Sequence, residues 1–229
     1  MIEDPPLLTM RRNFSRPTTE QLAVFEGVQT GFVVDAMQGR GALDFRIKPI
    51  DNGQATFHGV AVTSDNGPAD NLAVFCSGEI VQPGDVLMAA TDGFMETAVS
   101  GDLMLGMFKN KGAAAFVTDG CVRDITGIRE IGLPCFSAGV TPNSPVRNGP
   151  GTTGLPVVIG GVTVASGDIV VGDIDGVVVV PQVMIDDVIA VLKDIRFAEA
   201  KLVAKVKDGL ETPSFIVDFM ASGQIEEID

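Results

Sequence analysis

Three charged residues in the middle of the chain have the types and the spacing of a small active site. Asp102 is followed, after 20 intervening residues, by the adjacent pair Arg123 and Asp124. A guanidinium can bind a carboxylate or an oxyanion, and a carboxylate oxygen suits Mg²⁺ or Mn²⁺. The spacing predicts a site for an acidic substrate and a divalent cation. The alternative is a surface Arg–Asp pair together with a helix-capping aspartate.

The elements around these residues predict how they are positioned. Residues 98–111 have helical spacing, and Gly101-Asp102 lies within or at the start of that helix. If the helix begins there, the backbone N–H groups of Asp102, Leu103 and Met104 are free to bind a carboxylate. An apolar strand over 113–118 and an Asp-Gly turn then bring Arg123 and Asp124 to a strand exit, before a short helix over 125–131.

The rest of the chain predicts one α+β layered domain. We expect an irregular N-terminal arm (residues 1–16), a catalytic domain (17–208) and a C-terminal tail (209–229). Two similar stretches, beginning at Gly84-Asp85 and at Gly167-Asp168, predict two hairpins of like shape. Asp70 and Asn71 are expected either to cap a short helix that follows them or to line the mouth of the site.

The composition excludes several classes of protein. The 229 residues carry 16 basic and 30 acidic side chains, a net charge of −14, so nucleic acid is not an expected partner. A single histidine argues against a His-rich metal site or a Ser-His-Asp triad. No apolar run reaches the ~18 residues of a membrane helix, so no membrane association is expected. Three cysteines without metal-type spacing favour a reducing, cytoplasmic setting.

The longest predicted helix begins at Pro181 and runs to about residue 207. Its apolar stripe is interrupted by Arg196 and Glu199. Polar side chains in the middle of an apolar face need partners. Arg196 and Glu199 are expected either to form an ion pair at the rim of a packed helix, or to place Glu199 at a site on a neighbouring subunit.

The stretch GDLMLGMFKNKGAAAFVTDGCVRD resembles the RraA-like family, whose class II pyruvate aldolases carry the same Asp-x20-Arg-Asp pattern. The resemblance extends over about residues 18–205, through segments such as Gly59–Thr63, Gly132–Phe136 and Gly167–Pro181. It implies a swivelling β/β/α sandwich that assembles as a homotrimer or homohexamer. It also implies retro-aldol cleavage of 4-hydroxy-4-methyl-2-oxoglutarate or a similar 2-oxo acid, with oxaloacetate decarboxylation as a side activity.

The same resemblance implies roles for individual residues. The backbone from Gly101 to Met104, including Leu103, would hold the pyruvyl carboxylate, and Arg123 would bind the carbonyl that becomes the enolate. Asp124 would hold Mg²⁺ or Mn²⁺, largely through waters. Asp102 would orient a water that serves as the base, and Glu199 would approach the site of an adjacent subunit. The rival expectation is a non-catalytic binding protein, like the family members that inhibit ribonuclease E.

Overall fold

The computed structural model describes residues 6–228, which form fourteen strands and seven α-helices in this range. The strands are β1 (Leu8–Met10), β2 (Lys48–Pro49), β3 (Phe57–Asp65), β4 (Asp85–Ala90), β5 (Ala98–Ser100), β6 (Ala115–Thr118), β7 (Cys121–Val122), β8 (Cys135–Ser137), β9 (Gly139–Val140), β10 (Gly151–Thr153), β11 (Val157–Ile159), β12 (Val162–Val164), β13 (Ile169–Asp173) and β14 (Gly176–Val180). The helices are α1 (Thr19–Ala23), α2 (Thr30–Ala36), α3 (Leu72–Ser77), α4 (Asp102–Asn110), α5 (Ile125–Ile131), α6 (Ile185–Lys207) and α7 (Ser214–Met220).

The centre of the molecule is a nine-stranded mixed sheet. Strands β3, β4, β6 and β8 are parallel neighbours, while β13 pairs antiparallel with β3 and forms a hairpin with β14. All six residues of β4 are buried, because a parallel strand in the middle of a sheet is covered on both faces.

Alternate residues of the strands enter different cores, and this produces the layers. In β4, Leu87 and Ala89 pack with α3, α4 and α5, whereas Val86 and Met88 pack between the two β layers. Residues of β13 and β14 contribute to a third core beneath α1, α2 and α6. The chain is therefore one α+β layered domain with helices on both outer faces of the β layers, as expected for the fold class.

Three local expectations are corrected. The arm, described from residue 6 and expected to be irregular, contains strand β1, which pairs with β10. Residues 98–100 are a strand, and the helix begins only at Asp102. The stretch after Gly84 is not a hairpin, because β4 pairs in parallel with β3 and β6; only the stretch after Gly167 is one.

Helix α6 leaves the body of the molecule after its first half. Ile185, Val188 and Leu192 are buried, but apolar side chains further along α6 and on α7 are exposed: Phe197, Leu202, Val203, Val206, Phe215, Val217, Phe219 and Met220. The expected apolar stripe is thus covered in this chain only at its N-terminal end. In the described part of the chain, no helix has the length and apolar character needed to cross a bilayer.

Candidate active site

Three short parallel strands carry the predicted residues to one edge. β5, β7 and β9 form a three-stranded sheet in which Ser100 lies opposite Val122 and Val122 lies opposite Val140. Parallel strands end at the same edge, so the chain segments that follow them meet there. Gly101-Asp102 and Arg123-Asp124 are those segments, which explains why Asp102 and Arg123 share one site although 20 residues separate them.

Gly101 is required by the close approach of the two segments rather than by its backbone angles. Its φ of −153° is extended and open to any residue. A Cβ built on Gly101 would lie 2.6 Å from Asp124 Oδ2 and 3.1 Å from Arg123 Cγ. The absence of a side chain at position 101 therefore makes room for the Arg123-Asp124 pair.

Asp124 has a strained backbone and a carboxylate that is not used to cap a helix. Its φ of 60° lies in the left-handed region, which is unfavourable for residues other than glycine although aspartate tolerates it better than most. It occupies the N-cap position of α5 without a side-chain capping bond. Its Oδ2 instead lies 3.3 Å from Arg123 Nε, and Arg123 Nη1 donates to Ser144 Oγ at 2.5 Å. Strain of this kind is common where a side chain must face a binding site.

Asp102 is the first residue of α4 and bridges α4 and α5. Its Oδ1 accepts the backbone N–H of Leu103 at 2.7 Å, so one of the three amides expected to bind a substrate carboxylate already has an acceptor. Its carboxylate also contacts Gly127, where a Cβ would collide with it. The structure thus contains both contacts of the alternative interpretation, the Arg123–Asp124 ion pair and the bond of Asp102 at the start of α4. Both contacts lie in one cleft.

That cleft has a volume of about 300 Å³ and is lined by all the predicted residues from Gly101 to Met104 together with Arg123 and Asp124. It also contains Asn71, Ser100 and Arg147. Asn71 and Ser100 are 3% and 4% exposed, and Asn71 Oδ1 and Ser100 Oγ have no hydrogen-bond partner among residues 6–228. Leaving these two buried polar atoms of the cleft wall without a partner costs stability.

The sequence anticipated only part of this wall. Asn71 was expected either to cap a helix or to line the site, and it lines the site. Capping of α3 is done by Asp70, whose Oδ1 accepts the N–H of Leu72 at 2.7 Å. The sequence did not predict Ser100 or Arg147 as lining residues. No motif or spacing distinguishes Ser100, and Arg147 lies in a segment rich in proline and glycine whose path depends on non-local contacts.

One buried carboxylate holds the far side of the cleft. Asp70 Oδ2 accepts hydrogen bonds from the N–H groups of Asn148 at 2.6 Å and Gly149 at 3.0 Å. The backbone N–H of Asn71 donates to the carbonyl oxygen of Val146 at 3.0 Å. The start of α3 and the segment that carries Arg147 are therefore tethered at one point.

The carboxylates present fit a hard cation held mostly by water. In the described part of the chain, no three His, Cys, Asp or Glu side chains are grouped closely enough to hold a metal ion by themselves. Asp124, half-exposed and free of a capping role, and Asp102 on the same cleft suit Mg²⁺, which binds through one or two carboxylates and retains several waters. They do not resemble a zinc site.

Glu199 does not join this cleft within one chain. It is exposed on the distal part of α6 and lines a different cavity with Asp35, Asp173 and Asp175. Arg196 is likewise exposed. A role for Glu199 beside Asp124 would require a second chain.

Comparison with known proteins agrees with the fold. Residues 30–179 match the RraA-like family, described as Aldolase/RraA. A protein of Halalkalibacterium halodurans named "Putative 4-hydroxy-4-methyl-2-oxoglutarate aldolase" is 35% identical over 168 residues, which cover 73% of this chain and 80% of that protein.

Two solved structures superpose over most of their lengths. An uncharacterised protein from Pseudomonas syringae has a TM-score of 0.76 at 25% identity, covering 86% of this chain and 96% of that one. RraAS2 of Streptomyces coelicolor, described as an unusual member of the RNase ES inhibitor RraA protein family, has a TM-score of 0.74 at 29% identity, covering 83% and 100%. By sequence and by fold, the chain belongs to the RraA-like family.

Proposed function

We propose that the protein is a divalent-metal-dependent lyase that cleaves a 4-hydroxy-2-oxo acid, of the 4-hydroxy-4-methyl-2-oxoglutarate type, to pyruvate and a second oxo acid. The observation that carries the proposal is the single cleft that gathers Asp102, Arg123 and Asp124 at the start of α4. The name of the Halalkalibacterium relative supports the same reaction. Oxaloacetate decarboxylation is the expected side activity, because both reactions pass through the enolate of pyruvate.

The pyruvyl half of the substrate binds at the start of α4. The amides of Asp102 and Met104 lie in the first turn, where N–H groups lack partners within the helix and favour an anion. Arg123 takes the C2 carbonyl oxygen. Its guanidinium is turned toward the cleft by Ser144 and by the carboxylate of Asp124.

Cleavage breaks the C3–C4 bond of the substrate. The C4 hydroxyl loses its proton to Asp102 through a water, C4 becomes a carbonyl, and the electron pair moves through C3 to the C2 oxygen. Arg123 stabilises the negative charge on that oxygen, and protonation at C3 then gives pyruvate. Mg²⁺ or Mn²⁺, held by Asp124, would supply Lewis-acid stabilisation of the same charge when bound.

The active unit is a homo-oligomer, a trimer or a hexamer. Exposed apolar side chains on the outer half of α6 and on α7 support this, because a monomer rarely leaves such a patch uncovered. In the oligomer, Glu199 would complete the cleft of an adjacent subunit.

A non-catalytic role is the second candidate, favoured by the likeness to RraAS2, whose description places it among RNase ES inhibitors. In that role the protein would bind ribonuclease E and release no pyruvate. A metal-dependent turnover separates the two candidates directly.

The deciding experiment is a lactate-dehydrogenase-coupled assay of pyruvate release from 4-hydroxy-4-methyl-2-oxoglutarate and oxaloacetate, with Mg²⁺ and with excess chelator. We expect turnover with Mg²⁺ and its loss with chelator. Arg123→Lys keeps the charge but loses the planar fork, so it should cost at least about 2 kcal/mol of transition-state stabilisation. Full turnover in chelator would exclude the metal, and no turnover under any condition would favour the regulator.

A further inference from the structure

The cleft has a second wall that the proposed cleavage chemistry does not use. It consists of Asn71 at the start of α3, Ser100 at the end of β5 and Arg147 in the segment between β9 and β10. We refer to these three residues as the distal wall. Arg123 and Asp124 line the same cleft, so a substrate held by its pyruvyl end would extend its remaining atoms toward the distal wall.

Arg147 offers the cleft a second guanidinium. Its Cζ lies 5.0 Å from the centroid of the Phe75 ring, a cation–π contact that restrains the side chain at the cleft. Hydrogen bonds on both sides of it, from Val146 to Ala69 and from Asn148 and Gly149 to Asp70, fix the backbone. No carboxylate within 4.0 Å pairs with Arg147 in the described part of the chain.

Two guanidiniums in one cleft favour a substrate with two carboxylates. In a chain of net charge −14, the potential around an anionic substrate is otherwise repulsive. Arg123 faces Asp124 and the pyruvyl end, so Arg147 remains for a carboxylate at the other end.

We propose that the distal wall selects the substrate through Arg147, which binds the substrate's second carboxylate. This inference rests on the proposed function, since it takes the pyruvyl end to lie at Arg123. It makes Arg147 a specificity-determining residue for charge at the far end of the substrate.

The test measures binding and needs no turnover. 2-Oxoglutarate and 2-oxopentanoate share the 2-oxo acid end and the chain length, but only the first has a second carboxylate. We expect titration calorimetry with Mg²⁺ present to show that wild type binds 2-oxoglutarate more tightly than 2-oxopentanoate. Arg147→Met should reduce the ratio of the two dissociation constants about tenfold or more, as expected for the loss of a hydrogen bond to a charged group. Arg40→Met, which removes a charge from an exposed position outside the cleft, is the matched control.

The outcomes of this test are separable. A preference in wild type that survives Arg147→Met, or no preference in wild type, overturns the assignment of Arg147. A preference that Arg147→Met removes, in a protein that releases no pyruvate, upholds the distal wall and rejects the lyase. If wild type binds neither compound, the assignment of Arg147 is overturned, while the assay of pyruvate release decides the lyase.

Discussion

At the scale of single residues, the site depends on the absence of a side chain at Gly101 and of a capping bond at Asp124. Gly101 allows the Arg123-Asp124 pair to approach the start of α4, and Asp124 accepts a left-handed backbone without capping α5. These features explain why the three charged residues can act together although each contact, taken alone, is found on ordinary protein surfaces.

Gly101→Ala should damage activity while leaving the fold intact. The new Cβ would lie 2.6 Å from Asp124 Oδ2, so the carboxylate must move. Displacements near 1 Å at a reacting centre cost about 100-fold in rate. Steady-state kinetics with circular dichroism checks this. Gly106→Ala is the control and should retain activity, because a Cβ at this position of the same helix would lie 3.7 Å from Ile131 Cδ1, an ordinary van der Waals distance.

The titration of Asp119 should lower the free energy of unfolding as pH rises. Burial raises the pKa of the Asp119 carboxyl above its ordinary value of 3.8, against the opposing effect of the N–H of Thr91. The folded chain therefore holds this proton to higher pH than the unfolded chain does. Its contribution to the free energy of unfolding is present at low pH and is lost as pH rises from 3.8 through the raised pKa.

Urea unfolding of Asp119→Asn between about pH 4 and 7 tests this, because the variant lacks the titration and its stability relative to wild type should improve as pH rises. Asp44→Asn is the control. Arg46 lowers the pKa of Asp44 to about 2, so this group titrates below the range and its difference from wild type should stay constant. A constant difference for Asp119→Asn as well would contradict the prediction.

At the scale of elements, short-range patterns predicted helices better than strand partners. Helix α5 has the predicted bounds, 125–131, because Asp124 and Gly132 at its ends both adopt the left-handed backbone that stops a helix. The strand at 98–100 was read as helix because Val99 fits the helical period of Leu103. Its true partner is β7, and pairing with a distant strand leaves no trace in local spacing.

The site shows the same division. Asp102, Arg123 and Asp124 could be found because their types and spacing are informative and match a family pattern. Ser100 and Arg147 could not, because a serine at a strand end and an arginine in a loop acquire meaning only from what surrounds them. Glu199 remains a prediction, since a single chain does not test it.

An ion pair holds the N-terminal arm in addition to the pairing of β1 with β10. Arg16 pairs in a bidentate way with Asp85, at 2.5 and 2.9 Å, and the side chain of Asp85 is 1% exposed. Arg16→Met would leave a buried carboxylate without its cation. We expect a loss of about 2–3 kcal/mol in the free energy of unfolding, below the full cost of a broken buried pair because Arg16 is partly exposed.

Chemical denaturation of Arg16→Met beside Arg46→Met measures this. Arg46 and Asp44 form a similar bidentate pair on the surface, where solvent screens it, so Arg46→Met should leave the unfolding midpoint nearly unchanged. Equal losses in both variants would show that the burial of Asp85 contributes nothing.

At the scale of the whole molecule, α6 and α7 project apolar side chains beyond the layered body, and Glu199 lies on that projection. Within one chain, Glu199 lies apart from the cleft. Association of identical chains would cover the apolar surface and would bring Glu199 to the cleft of a neighbouring chain in the same step.

Mixing two inactive variants, Asp124→Ala and Glu199→Ala, under conditions of subunit exchange should restore part of the activity. In a mixed oligomer some clefts combine an intact Asp124 from one chain with an intact Glu199 from the other. Analytical ultracentrifugation confirms exchange. If each variant is inactive alone and exchange restores nothing, the site is not shared; among the described residues Arg196 and Glu199 form no ion pair within 4.0 Å that would give them a role within one chain.

The tether at Asp70 has a consequence for how this protein can change over evolution. One carboxylate fixes the ends of two stretches, one carrying Asn71 and the other Arg147, through backbone N–H groups at 148 and 149 rather than through side chains. Position 147, which lies between the tether and Ser144, can therefore exchange its side chain while positions 148 and 149 keep an N–H, which excludes proline at both. Under the proposed function, substrate range can diversify through this position, while Asp102, Arg123 and Asp124, which follow β5 and β7, stay as they are.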